Sequence, residues 1–482
     1  MFKKYAFAIT IIVAMVLTAC GPAATSQPPS VEPTKPSVVE PTKPAAVVPT
    51  TPPVVEPTTP PAGPAVKDLT ILWAQWSPAD YLQQIGALYE QETGVKVTVV
   101  QEPWGSFGDR FNVAMAAAGT EWDMVVGDSQ WIGQGATAGY YVDLTDFMKS
   151  NGIDKSVTPA TLQYYGEYPA GSGKYYGFPT EGDADGWAYR KDLFEDPANM
   201  AAFKSQYGYD LAVPTTWAQL MDIAKFFTKA DKSMNGVAIY TQKDYDAITM
   251  GFENVMFSYG AKWQNPDNTV EGVVNSQASI DALQYYRDLY DCCQAPGLNN
   301  AFYTETNDAF IGGQVAMTLN YFAFFPALAN PSTNPYANVT GFFANPAGPT
   351  GIRKAALGGQ GLSVISFVSP ERQKASLDFI KWFAQEDIQA KWAALGGYTC
   401  NANVLKTDAF MKATPYNPAF SETMTFVMDF WNIPTYAALL TPSQNYLSAF
   451  VVGGEGTAKE ALDNIAAEQT AALQSDGVIA SP

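Results

Sequence analysis

The chain has 482 residues, room for two or three domains. It carries 28 Lys plus Arg, 47 Asp plus Glu and no histidine, a formal charge of −19. Without imidazole, Ser-His-Asp and Cys-His machinery and H-E-x-x-H zinc sites are excluded. The acidity argues against a nucleic-acid backbone as partner.

The first segment reads as an address. Lys3 and Lys4 precede an apolar run, Tyr5 to Val16, of 12 residues, too short to span a bilayer. Leu17-Thr-Ala-Cys20 follows. A Leu-small-small-Cys run in this position resembles the bacterial lipobox, which implies a signal peptide over 1–19 and a diacylglycerol thioether on Cys20. Residues 20–66 then form a Pro/Thr-rich linker. Gly21 to Pro64 holds 14 of the 34 prolines and no Phe, Trp or Tyr. The unit Val31-Glu-Pro-Thr-Lys-Pro36 recurs at 39–44 and, with Thr59 for Lys, at 55–60. Proline fixes φ and removes donors, and nothing large and apolar offsets the entropy of ordering. The expectation is semi-rigid polyproline II, about 3.1 Å per residue, acting as a spacer.

Past the linker, periodicity turns globular. Asp68 to Trp73 reads as a strand. Leu82, Ile85, Leu88 and Tyr89 give Ala79 to Glu92 an apolar helical face that Gly94 ends. Val95 to Val100 is a β-branched strand, Phe107 to Ala118 a helix and Asp123 to Gly127 a third strand. This alternation with short turns predicts a parallel α/β sheet, whose ligands sit beyond the carboxyl ends of the strands. Those ends carry Gln75 and Trp76, Glu102 and Trp104, then Asp128, Gln130 and Trp131. A tryptophan with polar neighbours at three successive ends points to one shared cleft.

At this point the chain resembles a known family. Leu88-Tyr-Glu-Gln-Glu-Thr-Gly-Val-Lys-Val97 is similar to the helix-to-strand signature of bacterial extracellular solute-binding proteins, the maltose-binding-protein-like group. Further matches are Trp122 to Gly127, Gly139 to Leu144, Tyr176 to Pro179, Ala188 to Phe194, Pro214 to Leu220, Phe310 to Met317, Gly358 to Ile365, Ala375 to Trp382 and Ile433 to Tyr436. Together they cover nearly all of 68–482. The resemblance implies the two-lobed periplasmic-binding-protein fold of type II, each lobe a mostly parallel sheet flanked by helices. Lobe 1 takes 67–179 plus 358–405 and lobe 2 takes 180–357 plus 406–482. It also implies a monomeric receptor, on the outer face of the cytoplasmic membrane, that delivers a solute to ABC permease transmembrane subunits. The lipid anchor is then its contact with the membrane.

Neutral sugars are held by aromatic faces and by planar polar groups that take paired hydroxyls. Beyond the three strand ends, such groups gather at the implied lobe junctions. Glu181, Asp183, Asp185 and Trp187 lie in a loop-like stretch after the first crossing. Asn320 and Tyr321 follow an apolar strand, Gln360 lies among glycines at the second crossing, and Trp431 precedes the last motif. These residues and the strand ends form the candidate site for a sugar or short oligosaccharide. Other solutes stay open, as does a carboxylate-based glycan enzyme.

Other chemistries fit poorly. Glu181, Asp183, Asp185, Gly186 and Asp192 fall on EF-hand positions, but the first and last have the wrong acid and the flanks are not helical. No P-loop or G-x-S-x-G stands in context, so no cofactor, metal or catalytic residue is expected. With Cys20 lipidated, Cys292, Cys293 and Cys400 remain, and no CxxC spacing supports a metal. The pairs open to them are Cys400 with Cys292 or Cys293, or the two neighbours with each other. A bond to Cys400 is favoured because it would close a long loop.

Overall fold

The computed structural model describes residues 66–244 and 246–480. The expected signal peptide over 1–19, the expected lipidation site Cys20 and most of the expected Pro/Thr-rich linker lie outside the described residues.

Two sheets organise the chain. The first contains β1 (Asp68–Ala74), β2 (Lys96–Glu102), β3 (Met124–Asp128), β4 (Phe178–Glu181) and, from much later, β10 (Gln360–Val364), in the order β2-β1-β3-β10-β4. The second contains β5 (Asp185–Arg190), β6 (Asn235–Ala238), β7 (Val315–Tyr321) and β8 (Thr340–Phe343), in the order β6-β7-β5-β8. Leu69, Ile71, Leu72 and Trp73 are fully buried in β1, as expected for a strand covered on both faces by helices.

Local chemistry explains the first units. Pro78 opens the helix Ser77–Thr93, Leu82, Ile85 and Tyr89 bury one face, and Gly94 ends it at φ +76°, a conformation glycine adopts without steric cost. Ser369 caps the helix Pro370–Phe383 by accepting from the Arg372 N–H. That helix buries Phe379, Ile380 and Phe383 against the first core.

Strand direction is mixed rather than mostly parallel. β1 runs parallel to β2 and β3, but β10 runs antiparallel to β3 and β4. In the second sheet only β6 and β7 are parallel, while β5 opposes β7 and β8. The reason is that the chain passes between the sheets and returns, so strands entering from the other lobe arrive reversed.

Three passages join the sheets. The chain leaves β4 and enters β5 through Gly182–Ala184. It returns from β9 (Ala355–Ala356) to β10 through Leu357–Gly359, and Ala184 pairs with Leu357 between these passages. A third strand, β11 (Val427–Met428), lies parallel to β9. The helix Asn417–Thr423 precedes it, and its Phe420 ring meets Phe322, Tyr398 and Phe410. Two hydrophobic cores result: the first lies under the first sheet and also takes in Ala188, Ala238 and Val315 of the second, and the second lies under the second sheet. Among the described residues no helix is long and apolar enough to cross a membrane.

The stretch 181–187 is not a solvated loop. It spans the end of β4 and the start of β5, and Glu181, Asp183 and Asp185 are buried. Acidic side chains in a run of small residues look like surface when their surroundings are unknown.

The favoured cysteine pairing is also corrected. Cys292 and Cys293, adjacent at the end of the helix Gln277–Cys293, form the disulfide, and Cys400 is free and buried. With Cys292 and Cys293 bonded to each other, Cys400 has no cysteine partner left among the described residues.

Candidate functional site

A cavity of about 270 Å³ opens where the two sheets face one another. The first sheet supplies its strand ends. Trp76 follows β1, Trp104 starts the helix after β2, Asp128 ends β3, and Ser129 and Gln130 follow it. The Trp76 and Trp104 rings meet edge to face, centroids 5.4 Å apart, a favoured aromatic geometry. Asp128 is held by a relay. The Trp73 indole N–H donates to Gln360 Oε1 at 2.6 Å, and Gln360 Nε2 donates to Asp128 Oδ1 at 2.6 Å.

The passages form the floor. Asp183, Leu357, Gly358 and Gly359 line it. The Asp183 carboxylate accepts from the Ala184 and Ala323 N–H groups at 2.8 and 3.2 Å. Gly359 is required by close packing: a Cβ there would sit 2.1 Å from the Glu181 carbonyl oxygen and 2.2 Å from the Tyr165 hydroxyl.

The second lobe closes the far side. Gln242, Asp246 and Met250 come from the approach to and first turns of the helix Ala247–Ser258. Phe302, Tyr303, Tyr321 and Phe324 add an aromatic wall, in which Tyr303 and Phe324 stack with centroids 4.1 Å apart. Asp429 and Phe430 follow β11. Gln130 Nε2 donates to Asp246 Oδ2 at 2.8 Å, a hydrogen bond from one lobe to the other. Tyr303 and Phe324 also line a second cavity, of about 580 Å³.

The site is acidic. Burial pushes the Asp183 carboxyl up to about 8 against the pull of its backbone N–H donors. Burial and then repulsion from Asp128 push Asp246 up to about 7. Asp429 also rises to about 7, chiefly through burial and with a smaller push from Asp128, against hydrogen bonds from Ser129 and Phe430.

Of the residues singled out in the sequence, Trp76, Trp104, Asp128, Gln130, Asp183 and Tyr321 line the cavity. Gln360 stands one hydrogen bond behind it. The others lie elsewhere. Gln75 is exposed and Glu102 pairs with Arg110. Trp131 is buried in the first core, its ring stacked on Phe111. Trp187 is buried in the second core with its indole N–H on Asn345 Oδ1 at 2.8 Å. Asn320 is bound up with Tyr240, Tyr303, Thr306 and Asn307. Trp431 packs on Trp263 and Phe430. Glu181 ends β4 and Asp185 begins β5, on either side of the first passage, where burial drives both carboxyls well above the ordinary range.

Sequence reasoning missed Gln242, Asp246, Met250, Phe302, Tyr303, Phe324, Asp429 and Phe430. The strand-end rule reaches the first of these once β6 is recognised, because Gln242 and Asp246 lie just beyond it. Asp429 and Phe430 adjoin Trp431, so the segment was found with the wrong side chain.

Residues 75–390 match the family described as bacterial extracellular solute-binding protein. A probable ABC transporter-binding protein of Deinococcus radiodurans is 24% identical over 335 residues, 68% of this chain and 74% of that one. The fold is similar to an ABC transporter solute-binding protein of Agrobacterium radiobacter K84 in complex with ribitol. That match has a TM-score of 0.71 and 23% identity, over 84% of this chain and 99% of that one. It is also similar to maltose-bound T. maritima MalE3, with a TM-score of 0.70 and 23% identity over 84% and 99% of the two chains. The chain belongs to the bacterial extracellular solute-binding protein family.

Proposed function

We propose that this protein is an extracytoplasmic receptor for a sugar, polyol or short oligosaccharide, which it hands to the transmembrane subunits of an ABC importer. The observation that carries the reading is the cavity between the sheets, with aromatic faces and paired hydrogen-bonding groups from both lobes. The similar structures in complex with ribitol and with maltose support the polyhydroxylated class. The receptor acts by binding and release, as a monomer. The lobes rotate about the three passages, and the solute favours the closed form through contacts made with both. Trp76 and Trp104 take the carbon-bound face of the solute, while Asp128, Gln130 and Asp183 take hydroxyls. Cys20 carries the lipid anchor and the Pro/Thr-rich linker sets the distance to the membrane.

Thermal unfolding against sugars, polyols, amino acids and calcium tests this reading. A ligand at a hundredfold excess over its dissociation constant stabilises the native state by about 2.7 kcal/mol. A selective rise in midpoint with sugars or polyols is expected. A rise only with amino acids or calcium would overturn the solute class, and turnover of a labelled oligosaccharide would overturn the receptor.

A further inference from the structure

The first cavity does not end at its aromatic wall. Tyr303 and Phe324, which stack there, also line the second cavity and so stand between the two. The first-lobe side is continuous as well. Trp76 lines the first cavity, and the next residues in the chain, Ser77 and Pro78, line the second. On the floor, Asp183 of the first cavity accepts from the N–H of Ala323, which lines the second. Pockets for small molecules run from about 300 to 1,000 Å³. The first cavity, at about 270 Å³, falls just below that range, and the second, at about 580 Å³, lies inside it. The chemistry of the solute is therefore read from both.

The two compartments differ in what they offer. The first carries the carboxyls of Asp128, Asp183, Asp246 and Asp429 and the amides of Gln130 and Gln242. Among the described residues lining the second, the one with a charged side chain is Asp308, and it is exposed, as are Ser77 and Thr304. The polar groups set deeper are already used by the protein. Asn307 donates to the Phe324 carbonyl and accepts from the Asn320 amide, both at 2.9 Å. The Tyr398 hydroxyl donates to the Phe322 carbonyl at 2.5 Å, and the Thr414 hydroxyl to Asn417 Oδ1 at 2.6 Å. What remains is the half-buried rings of Tyr81, Tyr303 and Phe324 and the aliphatic side chains of Ile311, Ala327 and Leu395. A second sugar ring here would bring hydroxyls out of water and find few partners for them, at a cost for each group left unpaired. An apolar group has no such cost, gains from leaving water and packs on the rings.

We propose that the solute is a glycoside with an aromatic aglycone. Its polyhydroxylated ring lies in the first cavity and its aryl group in the second, with the linkage passing the Tyr303–Phe324 pair. This inference rests on the sugar reading above and names the kind of sugar derivative that the cleft selects.

The test is calorimetric titration of the purified protein with methyl glycosides, phenyl glycosides and disaccharides that share one first ring. Glucose, galactose, mannose and xylose series are used in both anomers, beside the free sugars, polyols and phenol. In at least one series the phenyl glycoside is expected to bind tenfold or more tightly than the methyl glycoside, and more tightly than the disaccharide. Its heat-capacity change should be the more negative, as apolar burial requires. Tyr81→Ala removes a ring from the second cavity, and Ala394→Asp sets a charge there from an exposed helix position. Each should shrink the phenyl-to-methyl ratio, with thermal midpoints confirming that the variants fold. A methyl glycoside or disaccharide that binds as tightly as its phenyl counterpart would overturn the aglycone and leave the receptor reading intact. So would an unchanged ratio in a folded variant, or phenol binding as tightly as the phenyl glycoside. No binding by any glycoside would overturn the aglycone, and a flat response to the free sugars and polyols as well would overturn the receptor reading with it.

Discussion

Trp104 begins the helix after β2 and lines the cavity, whereas Trp131 begins the helix after β3 and is buried beside Phe107 and Phe111. The same residue type at equivalent strand ends therefore predicts two phenotypes. Trp104→Ala is expected to weaken solute binding by more than about 1 kcal/mol with little change in unfolding midpoint, because a half-buried ring loses mainly its contact with the ligand. Trp131→Ala is expected to cost about 3–5 kcal/mol of stability by denaturant titration, because it leaves a cavity in a packed core. An unchanged midpoint there would take Trp131 out of the core. Cys400 gives a third expectation at this scale. Burial, then the nearby Glu181 carboxyl, raise its thiol pKa well above the ordinary value. Iodoacetamide at pH 8 should leave Cys400 unmodified in the native protein and modify it after unfolding, as read by mass spectrometry. Labelling of the native form would contradict the buried placement.

At the scale of elements, the decisive contacts lie between lobes. Gly133, in the helix Trp131–Thr137, faces the segment after β11 so closely that an added Cβ would sit 2.0 Å from the Asn432 carbonyl oxygen. Alanine is a better helix former than glycine by about 1 kcal/mol, so Gly133→Ala does not weaken its own helix. It holds the lobes apart instead. We expect at least a tenfold loss of solute affinity, since a ligand that needs the closed form is penalised by the fraction of protein able to close. Small-angle scattering should show a wider particle in the presence of solute. Unchanged affinity would mean that the cleft binds without this contact. The same scale separates what periodicity could and could not reveal. The alternation of β1 and β2 and the face of Ser77–Thr93 are local, and their reading survives. The stretch into β5 reads as a turn because Glu181, Asp183, Asp185 and two glycines stand together, and the burial of these acids depends on Tyr398, Ala323 and Asn254, which are distant in sequence.

Across the whole molecule, the buried acids set the response to pH. In the unfolded chain a carboxyl titrates at about 4. In the folded protein Asp246 and Asp429 titrate near 7 and Asp183 near 8, with Glu181, Asp185 and Glu253 also raised. Between these limits the folded state binds more protons. Stability is therefore fully present below about pH 4 as far as these groups are concerned, and is lost as pH rises through 7 to 8. The unliganded protein is expected to melt several degrees higher at pH 5 than at pH 8. Asp429→Asn should flatten that slope, which distinguishes the site from the general repulsion of a chain with a charge of −19. A midpoint that is flat or rises from pH 5 to pH 8 would count against the buried acidic cleft.

The sequence by itself determined the strand–helix alternation of the first lobe, and that polar and aromatic residues stand at its strand ends. These follow from neighbours within a few residues: period, β-branching, prolines and a terminating glycine. Only the tertiary structure decided which of those side chains face the cavity, which cysteines meet, and that Asp246, Tyr303 and Asp429 join Asp128 in one site. Periodicity tells which face of an element is apolar, but not what that face meets. The partners here come from segments brought together by three passages between lobes, and those contacts are long-range in sequence.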